Sequence, residues 1–232
     1  MVTLRRAEAD EQWCRRLRTG VASALSELDL PGLTVNVRDD AVRASLMTLT
    51  TLDPPVAAVV SIWTHQYYGA ALAAALELLA AECDDLAAYL VTESVPLPGP
   101  TGPPSARTPG LANVALLRRP ADLDQATWLA RWHIDHTPVA IATQATFGYT
   151  QNTVVRPLTA GAPRIDAIVE ELFPIEAVSD LHAFFGAADD ADLGDRMGKM
   201  AASVARFGAD RDIDTVPTSR YPLWGQVDTL RA

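Results

Sequence analysis

A chain of 232 residues that is 49% hydrophobic and 21% charged has a globular balance, which excludes wholesale disorder. Its formal net charge of -10 leaves no basic face for nucleic acid or anionic lipid. The longest apolar run, Gly69 to Ala81, is too short to span a bilayer, so neither nucleic acid nor membrane is expected as a partner.

The first residues carry a short basic patch, Arg5, Arg6, Arg15, Arg16 and Arg18, which reads as a solvated helix face. They contain no apolar core of a signal peptide. Cys14 and Cys83 have no metal-type spacing and fall in helix-like stretches, so both read as free thiols. A cytoplasmic location follows as the expectation.

In chain order, Val2 to Arg5 reads as a first strand, short enough to fray, and Glu8 to Leu28 as a helix. Leu33 to Arg38 and Val56 to Thr64 are apolar and β-branched, and read as strands. The Ala-rich stretch Gly69 to Leu90 predicts a second helix, and Val91 to Leu97 a fourth strand. Pro96 to Gly110 reads PLPGPTGPPSARTPG, and its prolines exclude both helix and central strand. It divides the chain into units at 1–97 and 111–232, with a semi-rigid linker over 98–110.

The order then repeats. Asn113 to Arg119 predicts a buried strand, and Asp122 to Ala142 a helix capped by Asp122 or Asp124 and ended or kinked at Pro138, unless that proline starts a new short helix. Phe147 to Val155 and Ile165 to Phe173 predict strands. Helices follow at Ile175 to Phe185, closed by Gly186, and Leu193 to Phe207, stopped by Gly208. Thr215 to Leu223 predicts an edge strand, because Pro217 and Pro222 exclude a central one. Val2 to Trp13 also aligns weakly with Ala115 to Trp128.

Strand–helix–strand–strand–helix–strand is the ferredoxin-like order. The expected fold class is therefore α+β, with tandem ferredoxin-like halves (βαββαβ) of the dimeric α+β barrel type. Each sheet would bare one face, to be shielded by a partner sheet. The sequence does not choose between closure within the chain and closure in a homodimer.

The stretch LLRRPADLDQATWLARWHIDHTPVA resembles the EthD-like branch of the dimeric α+β barrel superfamily. Arg118, Arg119 and Pro120 fit its basic strand end, and Trp132, His136 and Pro138 its helix motif. In IDAIVEELF, Asp166 and Glu170 match the acidic positions and Phe173 the closing aromatic, while Leu172 stands where an aromatic is common. The first half lacks the motif: Leu17 and Val21 occupy the positions of Trp132 and His136. The resemblance implies an enzyme without an organic cofactor, a cyclase, dehydratase or isomerase. Its ligand would be a small hydrophobic, aromatic or polyketide-like molecule.

The residues that would carry such chemistry are few. His136 has the ring for general acid/base work near neutral pH. Glu170 and Glu171 are consecutive in a strand, so one of them points inward; Glu170 shares parity with Asp166, Ile168 and Leu172. Tyr149 would orient a carbonyl or phenol. His136, Glu170 and Tyr149 form the expected catalytic set, with Trp132, Arg118, His133 and Asp166 contacting substrate. His133 and His136 supply two metal ligands at most, so no metal is expected. Trp63, His65, Tyr67 and Tyr68 read mainly as core and loop packing.

No nucleotide-binding glycine motif, hydrolase elbow or Cys–His nucleophile signature is present. A non-catalytic binding or assembly module is the alternative, motivated by the motif-free first half. A haem-binding barrel with His136 or His182 as ligand is the third reading.

Overall fold

A computed structural model of the protein describes residues 1–225; residues 226–232, assigned above to the second unit, lie outside it. Eight strands run β1 (Val2–Arg5), β2 (Gly32–Val37), β3 (Val56–Trp63), β4 (Asp85–Leu97), β5 (Leu111–Leu117), β6 (Gly148–Pro157), β7 (Ala167–Phe173) and β8 (Asp214–Trp224). All neighbouring pairs are antiparallel, and the ring closes in the order β1-β3-β2-β8-β5-β7-β6-β4.

The tandem ferredoxin-like fold class is corrected by this ring. The chain forms one closed eight-stranded antiparallel barrel, not two four-stranded sheets laid face to face. The physical reason lies at the edges. β2 and β4 would each present unpaired N–H and C=O groups, and β8 and β6 satisfy them. Joined by their edges within one chain, the strands turn their inner faces to a common lumen, and closure needs no second copy.

Several elements differ from their expected form. β1 does not fray: it lies between β3 and β4 with all four residues buried. The Ala-rich helix α3 spans only Ala70–Ala80, and β4 begins at Asp85. Helical spacing over Leu86 to Leu90 yields there to pairing with β1 and to burial of Ala87 and Ala88 on opposite faces. β8 is not an edge strand. It pairs with β5 through Asp214 to Thr218, then with β2 through Ser219 to Trp224. Pro217 and Pro222 each fall where only one neighbouring strand is paired, so neither costs a ladder bond on a second side.

Helices cover the outside. α1 (Glu11–Arg16), capped by Asp10, continues through a π-helical stretch, Leu17–Val21, into α2 (Ala22–Ser26). α4 (Gln125–Ala130), capped by Asp124, continues through a π-helical stretch, Arg131–His136, into α5 (Thr137–Thr143). Pro138 sits in the first turn of α5, where its missing N–H leaves nothing unsatisfied. Beyond β7 come a 3-10 turn (Ile175–Val178), α6 (Leu181–Phe185), ended by left-handed Gly186, and α7 (Asp190–Ala205).

Two main cores sit between barrel and helices. One packs Trp13, Leu17 and Leu25 on Leu4, Leu33 and Val35. The other packs Trp128, Trp132 and Phe207 on Ala115, Ala167 and Val169. A third apolar group lies inside the barrel: Tyr89, Val114, Leu116, Ile168 and Val216 fill its lower half. An eight-stranded barrel is just wide enough for such filling or for one small ligand. Here the upper half stays open.

Candidate functional site

Strand parity decides what enters the lumen. On β7, Ile168, Glu170 and Leu172 point inward, while Val169 and Glu171 point outward. Above the apolar filling lies a polar layer. Glu170 Oε1 is 2.8 Å from Arg220 Nε of β8, and Glu170 Oε2 accepts from Asn36 Nδ2 of β2 at 2.8 Å. Asn36 also donates to Thr218 Oγ1 at 3.0 Å, and Thr218 Oγ1 donates to Ala112 O at 2.7 Å. The ion pair is fixed from three strands and is largely removed from water.

Above this layer is a cavity of about 220 Å³ at the open end of the barrel. Thr34, Ser61, Glu93, Thr150 and Asn152 line its wall, and Trp63 and Leu172 flank its mouth. The Pro/Gly segment crosses the mouth at Pro98 to Thr101. Its far end is held on β8, where Ser105 N donates to Pro222 O and Thr108 N to Arg220 O. Gly148 lets this strap lie close: a Cβ there would come within 2.7 Å of Leu172 Cδ1 and 3.1 Å of Gly99 Cα.

Glu93 differs from Glu170 in its surroundings. Glu93 is exposed at the cavity, yet the atoms packed around its carboxyl raise it above its ordinary value, the negative charge of Glu170 raises it further, and Arg220 only partly opposes them. The cavity thus holds an ion pair at its floor and, on its wall, a carboxyl group raised above its ordinary value.

The expected catalytic residues occupy three places. Glu170 is in the lumen. Tyr149 faces outward and is buried under the α4–α5 rod, where burial, then Glu171, raises its hydroxyl. His136 also faces outward: its Nδ1 lies 2.9 Å from Ser203 Oγ of α7, and its ring packs 4.8 Å from Phe207. Burial lowers His136 to about 4, so the ring is neutral at cell pH. The structure does not bring the three together.

The expected substrate contacts are also dispersed. Trp132 is fully buried against Trp128 and Tyr149, and its Nε1 has no hydrogen-bond partner among the described residues. The His133 ring packs tilted against Trp132, 4.4 Å between centroids, and burial lowers its pKa. Asp135 pairs with Arg206, so it does not join the two histidines. Arg118 pairs with Asp214 at 2.7 Å, not with Glu170, and this pair lies beyond the apolar filling, at the other end of the barrel. Burial would raise Asp214, but hydrogen bonds from Thr51 and Arg118 outweigh it and hold the carboxyl low. Asp166 accepts from Arg119 N and pairs with Arg164. His182 is half-buried between Asp180 and Asp190, away from the lumen.

Sequence reasoning missed Glu93, Arg220, Asn36, Thr34 and Ser61. One signal was present. Thr34 and Asn36 alternate with Leu33, Val35 and Val37, and Glu93 sits in a β-rich run. With helices on the outer face, the polar set must face inward. No family model matches the chain, and no curated protein matches it.

Proposed function

We propose that the open end of the barrel binds a small organic molecule and that Glu93 exchanges a proton with it. The observation that carries this reading is the Glu93 carboxyl, raised above its ordinary value, in the same solvent-reached cavity as the Glu170–Arg220 pair. A carboxyl raised by partial enclosure and a like charge is suited to general acid/base work. The substrate class is a carbonyl compound, aromatic or polyketide-like, and the reaction an isomerisation, dehydration or cyclisation started by proton transfer. Ionised Glu93 takes a proton from the carbon next to the carbonyl, and the electron pair passes to the carbonyl oxygen. In an isomerisation the pair returns from the enolate oxygen and Glu93 delivers the proton to a different carbon; in a dehydration the pair expels a β-hydroxyl, which leaves as water with the proton from Glu93; in a cyclisation the enolate carbon bonds to a second carbonyl carbon, whose oxygen takes that proton.

Kinship with the EthD-like family is part of the proposal, supported by the run from Arg118 to Pro120 and by Trp132, His136 and Pro138. The proton chemistry moves from His136 to Glu93, because His136 faces Ser203. A cytoplasmic setting belongs to the same reading, supported by the unbonded thiols Cys14 and Cys83.

The test is proton exchange on 2-tetralone in D2O, followed by mass spectrometry. Wild type exchanges the α-protons above the buffer rate. Glu93→Gln lowers this by about 10²-fold or more, the usual scale of a general base. His136→Ala leaves it unchanged. Loss in His136→Ala with retention in Glu93→Gln overturns the assignment. Binding of 2-tetralone without exchange favours a non-catalytic binding module, a reading supported by the filled lower lumen.

A further inference from the structure

The open end of the barrel is not a single hollow. β1 pairs with β3 and β4 through Val2 to Arg5, and among the described residues no strand lies between the final residues of β3 and the middle of β4. A second cavity of about 280 Å³ occupies that slot. It meets the first at Met1, Ser61, Trp63, Glu93 and Asn152, which line both.

The two cavities differ in chemistry. The first rests on charged and hydrogen-bonding groups, Glu170, Arg220, Thr34 and Thr150. The second has apolar walls of Ile62, Leu72, Leu90, Val91 and Leu158, with Tyr89 as its floor. Tyr89 cannot offer a charge, because burial pushes its hydroxyl up to about 12 and the hydroxyl donates to Pro163 O at 2.8 Å. Glu93 stands at the junction.

Resting on the function proposed above, we infer that the ligand is an uncharged molecule with a polar head and an apolar tail, bent at Glu93. The head occupies the polar cavity and the tail the slot between β3 and β4. The head is uncharged because the floor is already neutral. Arg220 is matched by Glu170, and the Met1 amine, which lines both cavities, is lowered to about 5 by burial and donates to Tyr89 O, so among the described residues an added carboxylate finds no unmatched cation, and it meets the negative charge of Glu170. An added ammonium would have to draw Glu170 from Arg220 and Asn36. The tail is apolar because Ile62, Leu72, Leu90, Val91 and Leu158 wall the slot and, apart from the residues shared at the junction, its hydrogen-bonding side chains are Thr64, Tyr67 and Tyr89, the last already donating to Pro163 O.

Calorimetric titration with four probes tests this. Acetophenone presents the head alone, hexanophenone adds an alkyl tail, and octanoate and octylammonium carry charged heads. Hexanophenone binds at least tenfold more tightly than acetophenone, since each fully buried methylene contributes about fourfold. Neither charged probe matches it. Val91→Trp and Leu158→Trp fill the slot from its two sides, and melting curves check that each variant is folded. Each removes the gain from the tail and leaves acetophenone binding within twofold of wild type. If acetophenone binds and the tail adds nothing, or if the slot variants keep the gain, the two-cavity ligand is wrong while the binding site stands. Tighter binding of octanoate or octylammonium than of hexanophenone overturns the uncharged head. Failure of every probe to bind wild type overturns both the inference and the function on which it rests.

Discussion

Glu170 and Glu171 are one residue apart and meet opposite environments. Glu170 turns inward to Arg220 and Asn36. Glu171 turns outward beneath the helices, between its cross-strand neighbours Asn113 and Tyr149, and burial raises its carboxyl to about 8. A carboxyl that binds its proton more tightly folded than unfolded stabilises the fold fully only below its unfolded value, about 4.5. That contribution is lost as pH rises through 8. Wild type should therefore lose roughly 2–3 kcal/mol of stability between pH 6 and 9 from this group, and Glu171→Gln none of it. Urea denaturation of both proteins at the two pH values measures the difference, and parallel losses would show a hydrated carboxyl. The alternation of the two glutamates was legible in the sequence, because strand parity is local. Their partners were not, because Asn36 lies 134 positions from Glu170 and reaches it only through barrel closure.

At the scale of elements, local patterns were read well wherever the chain itself sets the geometry. Gly186 ends α6 with φ 62, and Asp124 caps α4 through its bond from Thr127 N. β8 and α3 were misread because propensity was allowed to decide pairing. Two prolines argued for an edge, yet β8 changes partners between them. The Ala-rich run argued for a longer helix, yet its second part is claimed by β1. Gly110 was legible only as a linker end, and its role is stricter. It has φ 100, and a Cβ there would run into Phe173 O, against which β5 starts its pairing. Gly110→Ala should destabilise the protein by about 2 kcal/mol or more, through left-handed strain and displacement of the β5–β7 register. Thermal unfolding reads this as a fall of at least about 4 °C. An unchanged midpoint would mean that the turn relaxes freely.

For the whole molecule, closure depends on two strands that hand over between the halves of the sequence. β4 pairs with β1 through Asp85 to Ala88, and from Tyr89 onward with β6. β8 does the same between β5 and β2. Each half therefore supplies one of the two seams, and removing either half leaves the second part of a long strand without hydrogen-bond partners. Residues 98–110 between the halves contribute no strand, and Gly102 is exposed, with open space around it. A cut there should leave the seams intact. With a protease site inserted at Gly102, the cleaved protein should elute at the volume of the uncut chain and release its two pieces only in denaturant. The uncut protein should melt in a single transition, with calorimetric and van't Hoff enthalpies equal. Separation of the pieces in native buffer, or two resolved transitions, would mean that the halves are stable apart and that the seams contribute little. The lumen would then not be a fixed container, since Thr34, Ser61 and Glu93 come from one half and Thr150, Asn152, Glu170 and Arg220 from the other.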